Sequence, residues 1–215
     1  YYFYATPFHK NYAIKLEHKI LTKAARTIVI TRDMKNRILQ RYRFLNHNDI
    51  SIIPHGYDQE DFNDANLILT DTSDNYNKSK FIITHTGLFS QDLTPKYLFQ
   101  AISELIRENP ELKNKLEVNM VGLMQKKYQK MIAKLHLQDI VYTSGYLNHL
   151  SSILSLLESD VLWLMMPNSL VTPGRLFEYL GARKPIIYAS PKSELTQIVE
   201  MQVRAIFEAA CNIKL

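Results

Sequence analysis

Asp160-Val-Leu-Trp-Leu-Met-Met166, Ser169-Leu-Val-Thr-Pro-Gly-Arg-Leu-Phe-Glu-Tyr-Leu-Gly-Ala182 and Pro185-Ile-Ile-Tyr188 follow one another along the chain. An apolar run of strand length, a loop, an amphipathic segment and a second apolar run read as strand, loop, short helix, strand. Thr172 can cap the helix and Pro173 fits its first position. Arg175 then lies in the first turn, where a cation opposes the helix dipole at a cost of about 0.3–1 kcal/mol. A basic residue there points to an anion, because helix N-termini bind phosphate. Glu178, one turn on, can accept hydrogen bonds from paired hydroxyls. Phosphate at one end and a diol at the other describe a nucleotide sugar. The competing reading is a surface ion pair between Arg175 and Glu178, worth a few tenths of a kcal/mol.

The surrounding pattern supports the first reading. Apolar runs at Phe81–His85, Leu116–Val121, Ile140–Thr143 and Val161–Met166 alternate with amphipathic segments at Pro95–Glu108, Lys126–Leu137 and His149–Leu157. A further helix is expected from Glu194. Strands apolar throughout and separated by helices predict an α/β domain, a parallel sheet covered on both faces. Three of these strands run into Gly87, Gly122 and Gly145. Ligands of open parallel sheets bind at the strands' carboxyl ends, which puts Gly87, Gly145, Tyr146 and the Ser169–Glu178 loop on one rim.

Ahead of this region, Asn11–Ala25 has helical spacing, Thr27–Thr31 is a short strand and Asp33 can cap a helix reaching Phe44. Ile50–Ile53 is a strand that ends in the turn-rich Pro54-His55-Gly56-Tyr57-Asp58. Asp58, Glu60 and Asp61 read better as a helix cap than as a paired-carboxylate site. The expected organisation is residues 1–66 as the end of one domain, 67–79 as a polar linker and 80–215 as a second domain.

Composition excludes several classes. With 215 residues, 46% hydrophobic and 22% charged, the chain has the make-up of an ordinary globular protein. The net charge of +5 is spread over helix faces rather than gathered with aromatics, which argues against nucleic acid. One cysteine, Cys211, excludes an intrachain disulfide and a cysteine-built zinc site. Asp-x-Asp pairs and His/Asp clusters with ligand spacing are absent, so no metal site is expected. Apolar runs stop far short of the roughly 18–20 residues that span a bilayer. The Tyr-Tyr-Phe-Tyr start has neither the basic nor the apolar region of a signal peptide.

In this linear order the chain resembles the GT-B glycosyltransferases of the large retaining group often called family 4. The pieces are Ala24–Thr31 with Ile52-Ile-Pro-His-Gly-Tyr-Asp58 and Phe62, then His85-Thr-Gly-Leu-Phe89. Val141-Tyr-Thr-Ser-Gly-Tyr146 follows, and last Pro173-Gly-Arg-Leu-Phe-Glu-Tyr-Leu180 with Lys184-Pro-Ile-Ile187. The resemblance implies an N-terminal acceptor lobe, of which residues 1–66 would be the end, and a Rossmann-like C-terminal lobe that binds a nucleotide-diphosphate sugar. It implies that Glu178 bonds the ribose, that Gly145 and Tyr146 contact the base, that a basic residue near the motif helix neutralises the diphosphate, and that Gly87, Thr172, Pro173, Gly174, Arg175 and Leu176 complete the donor-binding set. Backbone N–H groups at Gly174 and Arg175 would stabilise the leaving diphosphate. Arg175 and His55 are the catalytic candidates, with retention of configuration and neither metal nor cofactor beyond the donor.

Departures from that pattern fall where the family often carries charge: Leu88, Leu93 and Leu170 stand at the usual arginine, lysine and first glutamate positions. Arg175, helped by Lys96, is left to carry the phosphate role. The family's first third and its last helices have no counterpart, so the expectation is a truncated chain. His85 reads as a satisfied polar residue at the sheet rim that could also face the diphosphate. His9, His18, His47, His136 and His149 read as surface residues, and Trp163 as core. The expected partners are a nucleotide sugar and a saccharide or lipid-linked acceptor, in a cytoplasmic protein that could sit at a membrane's edge. The alternatives are a non-catalytic nucleotide-sugar-binding module or partner subunit and, behind it, a nucleotide-sugar epimerase.

Overall fold

The computed structural model describes residues 6–72, 79–89, 93–165 and 174–189. The chain divides into two compact units, Tyr1–His55 and Gly56–Leu215.

In the first unit, helix α1 (Pro7–Lys23) starts where Thr6 accepts a hydrogen bond from the His9 N–H and Pro7 opens the first turn. Strand β1 (Thr27–Val29) leads to helix α2 (Arg32–Arg41) and then to β2 (Ile50–Ile52), which pairs parallel to β1 with Thr27 opposite Ile50. The cap of α2 is Thr31 rather than Asp33. Thr31 has the extended backbone that a cap requires and accepts from the Met34 N–H, while Asp33 sits inside the first turn. There its charge still favours the helix dipole.

The second unit begins with helix α3 (Gln59–Thr72). Asp58 accepts from the Glu60 N–H at 2.9 Å, so this acidic group starts a helix, as its spacing indicates. Residues 67–72, expected as linker, are the last turns of α3. Phe62 and Ala65 anchor the helix in the core, and no glycine or proline interrupts it before Thr72.

Then come β3 (Phe81–Thr86), α4 (Lys96–Glu108), β4 (Leu116–Val121), α5 (Lys126–Lys134), β5 (Val141–Gly145), α6 (His149–Glu158), β6 (Val161–Met165), α7 (Arg175–Ala182) and β7 (Ile186–Ala189). The strands form one parallel sheet in the order β5-β4-β3-β6-β7. The first of them to form in sequence, β3, lies in the middle, and the winding direction reverses between β3 and β6. The helix expected from Glu194 lies outside the described residues.

Both faces of the sheet are buried, and β6 shows how. Val161, Trp163 and Met165 point into a core shared with α4 and α5, where Leu98, Phe99, Ile102, Tyr128 and Ile132 are buried. Leu162 and Leu164 point the other way, to Phe62, Ala65, Ile153, Leu156, Tyr179 and Ala182 on α3, α6 and α7. A period of two with both phases apolar is the mark of a central parallel strand.

Helices α3 and α7 meet at Gly181, where an added Cβ would stand 2.7 Å from the Phe62 ring and 2.8 Å from the Tyr57 ring. Phe62 is buried, so its ring cannot swing clear without opening the core, although Tyr57 is 40% exposed. Gly181→Ala is therefore expected to lower the unfolding free energy by about 1–3 kcal/mol in urea titrations. Gly174→Ala, whose Cβ would meet nothing within 4 Å among the described residues, is the control and should leave it nearly unchanged. Equal stability for both variants would refute this packing.

Candidate functional site

Regular pairing between β3 and β6 covers Ile83 opposite Val161 and Thr84 opposite Leu162, and goes no further. Beyond it the two strands part, and their backbone groups need other partners in a dry interior. The Thr86 N–H donates to the Tyr179 hydroxyl at 2.9 Å. On β6 the Trp163 carbonyl accepts from His85 Nδ1 at 2.8 Å and from the Tyr179 hydroxyl at 3.4 Å. His85 reaches it from the face covered by α4, its ring stacked on Phe89 at 4.9 Å, and Tyr179 from the face covered by α7. Two side chains thus close the gap at the point where the sheet reverses direction.

A carbonyl can only accept, so His85 Nδ1 carries the proton and Nε2 presents a lone pair. That lone pair faces Arg175 Nη1 at 3.1 Å. Burial, with a smaller contribution from the Arg175 charge, holds the His85 pKa down to about 4, while its bond to the Trp163 carbonyl acts in the opposite sense. The imidazole is therefore neutral at physiological pH. Burial likewise pushes the Tyr179 phenol upward, which keeps its proton in place.

Arg175 is the first residue of α7, and Gly174 before it provides no side-chain cap. Thr172 and Pro173, expected to open this helix, lie outside the described residues, as does Leu170. Arg175 forms no ion pair with Glu178 among the described residues; its guanidinium crosses instead to the end of β3. A Cβ on Gly87 would lie 2.5 Å from Arg175 Cζ, and Gly87 has φ +122°. Glycine at 87 thus makes room for the cation. The next glycine is tighter still, because a Cβ on Gly122 would meet the Gly87 carbonyl oxygen at 2.4 Å. Gly122 N–H donates to the Gly145 carbonyl at 2.8 Å, so the ends of β3, β4 and β5 form a continuous rim.

Several residues expected at the site therefore come together: Gly87, Gly145, Gly174 and Arg175 line the carboxyl edge or the helix start above it. Leu176 and Glu178 follow on α7, both half-buried. Tyr146, 86% exposed, stands just beyond Gly145. His55 is exposed at the end of the first unit. Leu88 is 59% exposed, and Leu93 packs against the core, so neither supplies polarity to the rim. Lys96 lies beside the Tyr97 ring, 5.7 Å from its centre. Tyr179 and the Trp163 carbonyl carry no obvious mark in sequence; the one signal is a tyrosine on the inward stripe of a helix, whose hydroxyl must find a buried partner.

Neither a protein-family model nor a curated protein sequence matches the chain. Solved structures match it in fold. A sucrose-phosphate synthase from Thermosynechococcus elongatus superposes with a TM-score of 0.64 at 15% identity, over 95% of this chain and 55% of that one. HepE of Anabaena, crystallised with UDP and glucose, gives 0.63 at 13% identity, over 94% and 59%. The fold is that of the GT-B glycosyltransferases. WaaG, a glycosyltransferase involved in lipopolysaccharide biosynthesis, gives 0.64 at 14% identity, over 93% of this chain and 58% of WaaG. The chain thus spans 55% to 59% of the length of these GT-B structures. Its α/β class and Rossmann-like parallel sheet agree with the reading of the sequence.

The depressed pKa of His85 makes this edge of the sheet a source of acid sensitivity. Above the unfolded value of 6.5 the group contributes no pH dependence. Between 6.5 and about 4 the unfolded chain binds a proton that the folded chain refuses, so stability falls as pH falls. The expected loss from this group is roughly 2 kcal/mol between about pH 7 and about pH 5. Unfolding measured at both pH values should show that slope in the native protein and a flatter one in His85→Asn. An identical slope in the two would contradict a buried neutral imidazole.

Proposed function

We propose that this protein is a glycosyltransferase, with Gly56–Leu215 binding a nucleotide-diphosphate sugar and the sugar passing to a saccharide or lipid-linked acceptor. The observation that carries the reading is the Arg175 guanidinium held over Gly87 at the reversal point of the sheet, with Glu178 one turn along α7. Open parallel sheets bind ligands at that crevice, and a cation beside a helix N-terminus is suited to a diphosphate. HepE has been crystallised with UDP-glucose, and the pneumococcal O-GlcNAc transferase GtfA with UDP and GlcNAc. A donor of this kind is what the present site would take.

The reaction breaks the bond between the anomeric carbon and the diphosphate oxygen, and the electron pair leaves with the diphosphate. Arg175 and the first N–H groups of α7 stabilise that charge as it grows, which requires no divalent metal. Glu178 holds the ribose hydroxyls, and Gly145 with Tyr146 meets the base. The acceptor oxygen bonds to the anomeric carbon on the face the diphosphate leaves, with retention, and His55 is assigned its proton by motif. Among the described residues no helix is long and apolar enough to cross a membrane. Action in the cytoplasm, with peripheral attachment to a membrane or to a partner subunit, belongs to the same proposal.

Leu88 and Leu93 favour a second reading, a module that binds nucleotide sugars without turning them over. Calorimetry with UDP, GDP and ADP addresses the site itself. One of them should bind, and Glu178→Ala should abolish the heat; no binding by any of the three would sink both readings. For an active protein, Arg175→Ala should lower kcat by the equivalent of about 2–4 kcal/mol, as for loss of an oxyanion donor. Unchanged turnover in that variant would remove Arg175 from the chemistry.

A further inference from the structure

We propose that His85 is a positioning residue, a neutral, tautomer-locked acceptor that sets the Arg175 guanidinium as a phosphate-binding cation in the absence of ligand. The proposal rests on the donor-binding reading above and goes beyond it by explaining how one arginine can serve where the usual neighbours are leucines.

An arginine at the end of a flexible side chain loses rotamer entropy when it is fixed. In this protein the fixing is built in before any ligand arrives. The Trp163 carbonyl takes the Nδ1 proton of His85, so Nε2 must accept, and Arg175 Nη1 lies 3.1 Å from it. Phe89 stacks on the imidazole at 4.9 Å and Trp163 lies 5.2 Å from it, leaving the ring no other orientation. Gly87 below the guanidinium has no side chain to displace it. One guanidinium edge is thereby occupied by a neutral acceptor, and the remaining N–H groups stay available to a second one. A carboxylate in place of His85 would neutralise the cation and compete with a phosphate. A neutral imidazole orients the guanidinium and leaves its full charge for the ligand. The groups around the imidazole are Arg175 and the Tyr179 phenol, which shares the Trp163 carbonyl. Neither is an acid that would protonate it.

The experiment uses UDP and uridine as probes of the intact chain, with nitrogen-detected NMR of His85 and Arg175. In the free native protein, Nε2 of His85 should titrate as an unprotonated acceptor well below pH 6, and the Arg175 guanidinium should rotate slowly. In His85→Leu that rotation should become fast, UDP should bind about tenfold to a hundredfold more weakly, and uridine should bind as before, since a charged hydrogen bond of this type is worth that much. His85→Gln, which keeps an acceptor toward Arg175, should recover part of the loss. A freely rotating Arg175 in the native protein overturns the proposal. So does an equal loss of UDP and uridine in His85→Leu, or no loss of either. If the native protein binds none of UDP, GDP or ADP while Arg175 is rigid and His85→Leu frees it, the positioning stands and the donor reading falls.

Discussion

The parting of β3 and β6 is the constraint on which the second unit depends. A parallel sheet that reverses its winding must open a crevice at the reversal, and the backbone groups lining it cannot be left bare in the interior. Here the Trp163 carbonyl receives both His85 and Tyr179, and Tyr179 also takes the Thr86 N–H. These contacts are structural in origin, since they replace lost sheet bonds. They also decide where the Arg175 charge is held. Once His85 Nδ1 is committed to the carbonyl, Nε2 can only look toward Arg175, and the guanidinium comes to rest over Gly87. Fold and site share one hydrogen-bond network, so a change at Trp163, Tyr179 or His85 would act on both.

Much of the sheet was legible because its signals are local and redundant. The Leu116–Val121 strand carries apolar residues at Leu116, Val118, Met120 and Val121, follows Lys115 and ends at Gly122, and its observed limits agree with the reading. The same holds within a residue or two for β3, β6, α4 and α6. Residues 67–72 were harder. Their polar neighbours resemble a linker, whereas the helix they extend is held by Phe62 and Ala65, whose partners on α6 and α7 are far away in sequence. Strand order has the same character. Nothing local to β6 says that its neighbour is β3.

The candidate site's residue types were legible in the sequence, and its wiring was not. Arg175, Glu178 and the glycine-ended strands stand out by type and spacing, and Gly87 and Arg175 do meet. The sequence offered an ion pair between Arg175 and Glu178 as the plainer fate of that arginine. The structure instead sends the guanidinium across to β3, to a histidine ninety residues away. His85 read as a satisfied polar residue at the rim, and it is one. Its second nitrogen acquires a purpose only through the tautomer, which depends on a carbonyl that sequence cannot mark.

The docking of α3 against α7 has a consequence for how the chain is made. Phe62 and Ala65 emerge from the ribosome early, yet the α7 surface around Gly181 and Ala182 that covers them is synthesised on the order of a hundred residues later. At typical elongation rates that interval is on the order of ten seconds. For most of it, until α6 and β6 follow, the nascent α3 has an apolar stripe and no partner, although β3, β4 and β5 are already available to pair. The order of synthesis therefore completes the middle of the sheet before its edge, and leaves the first helix of the second unit among the last pieces to be fully covered.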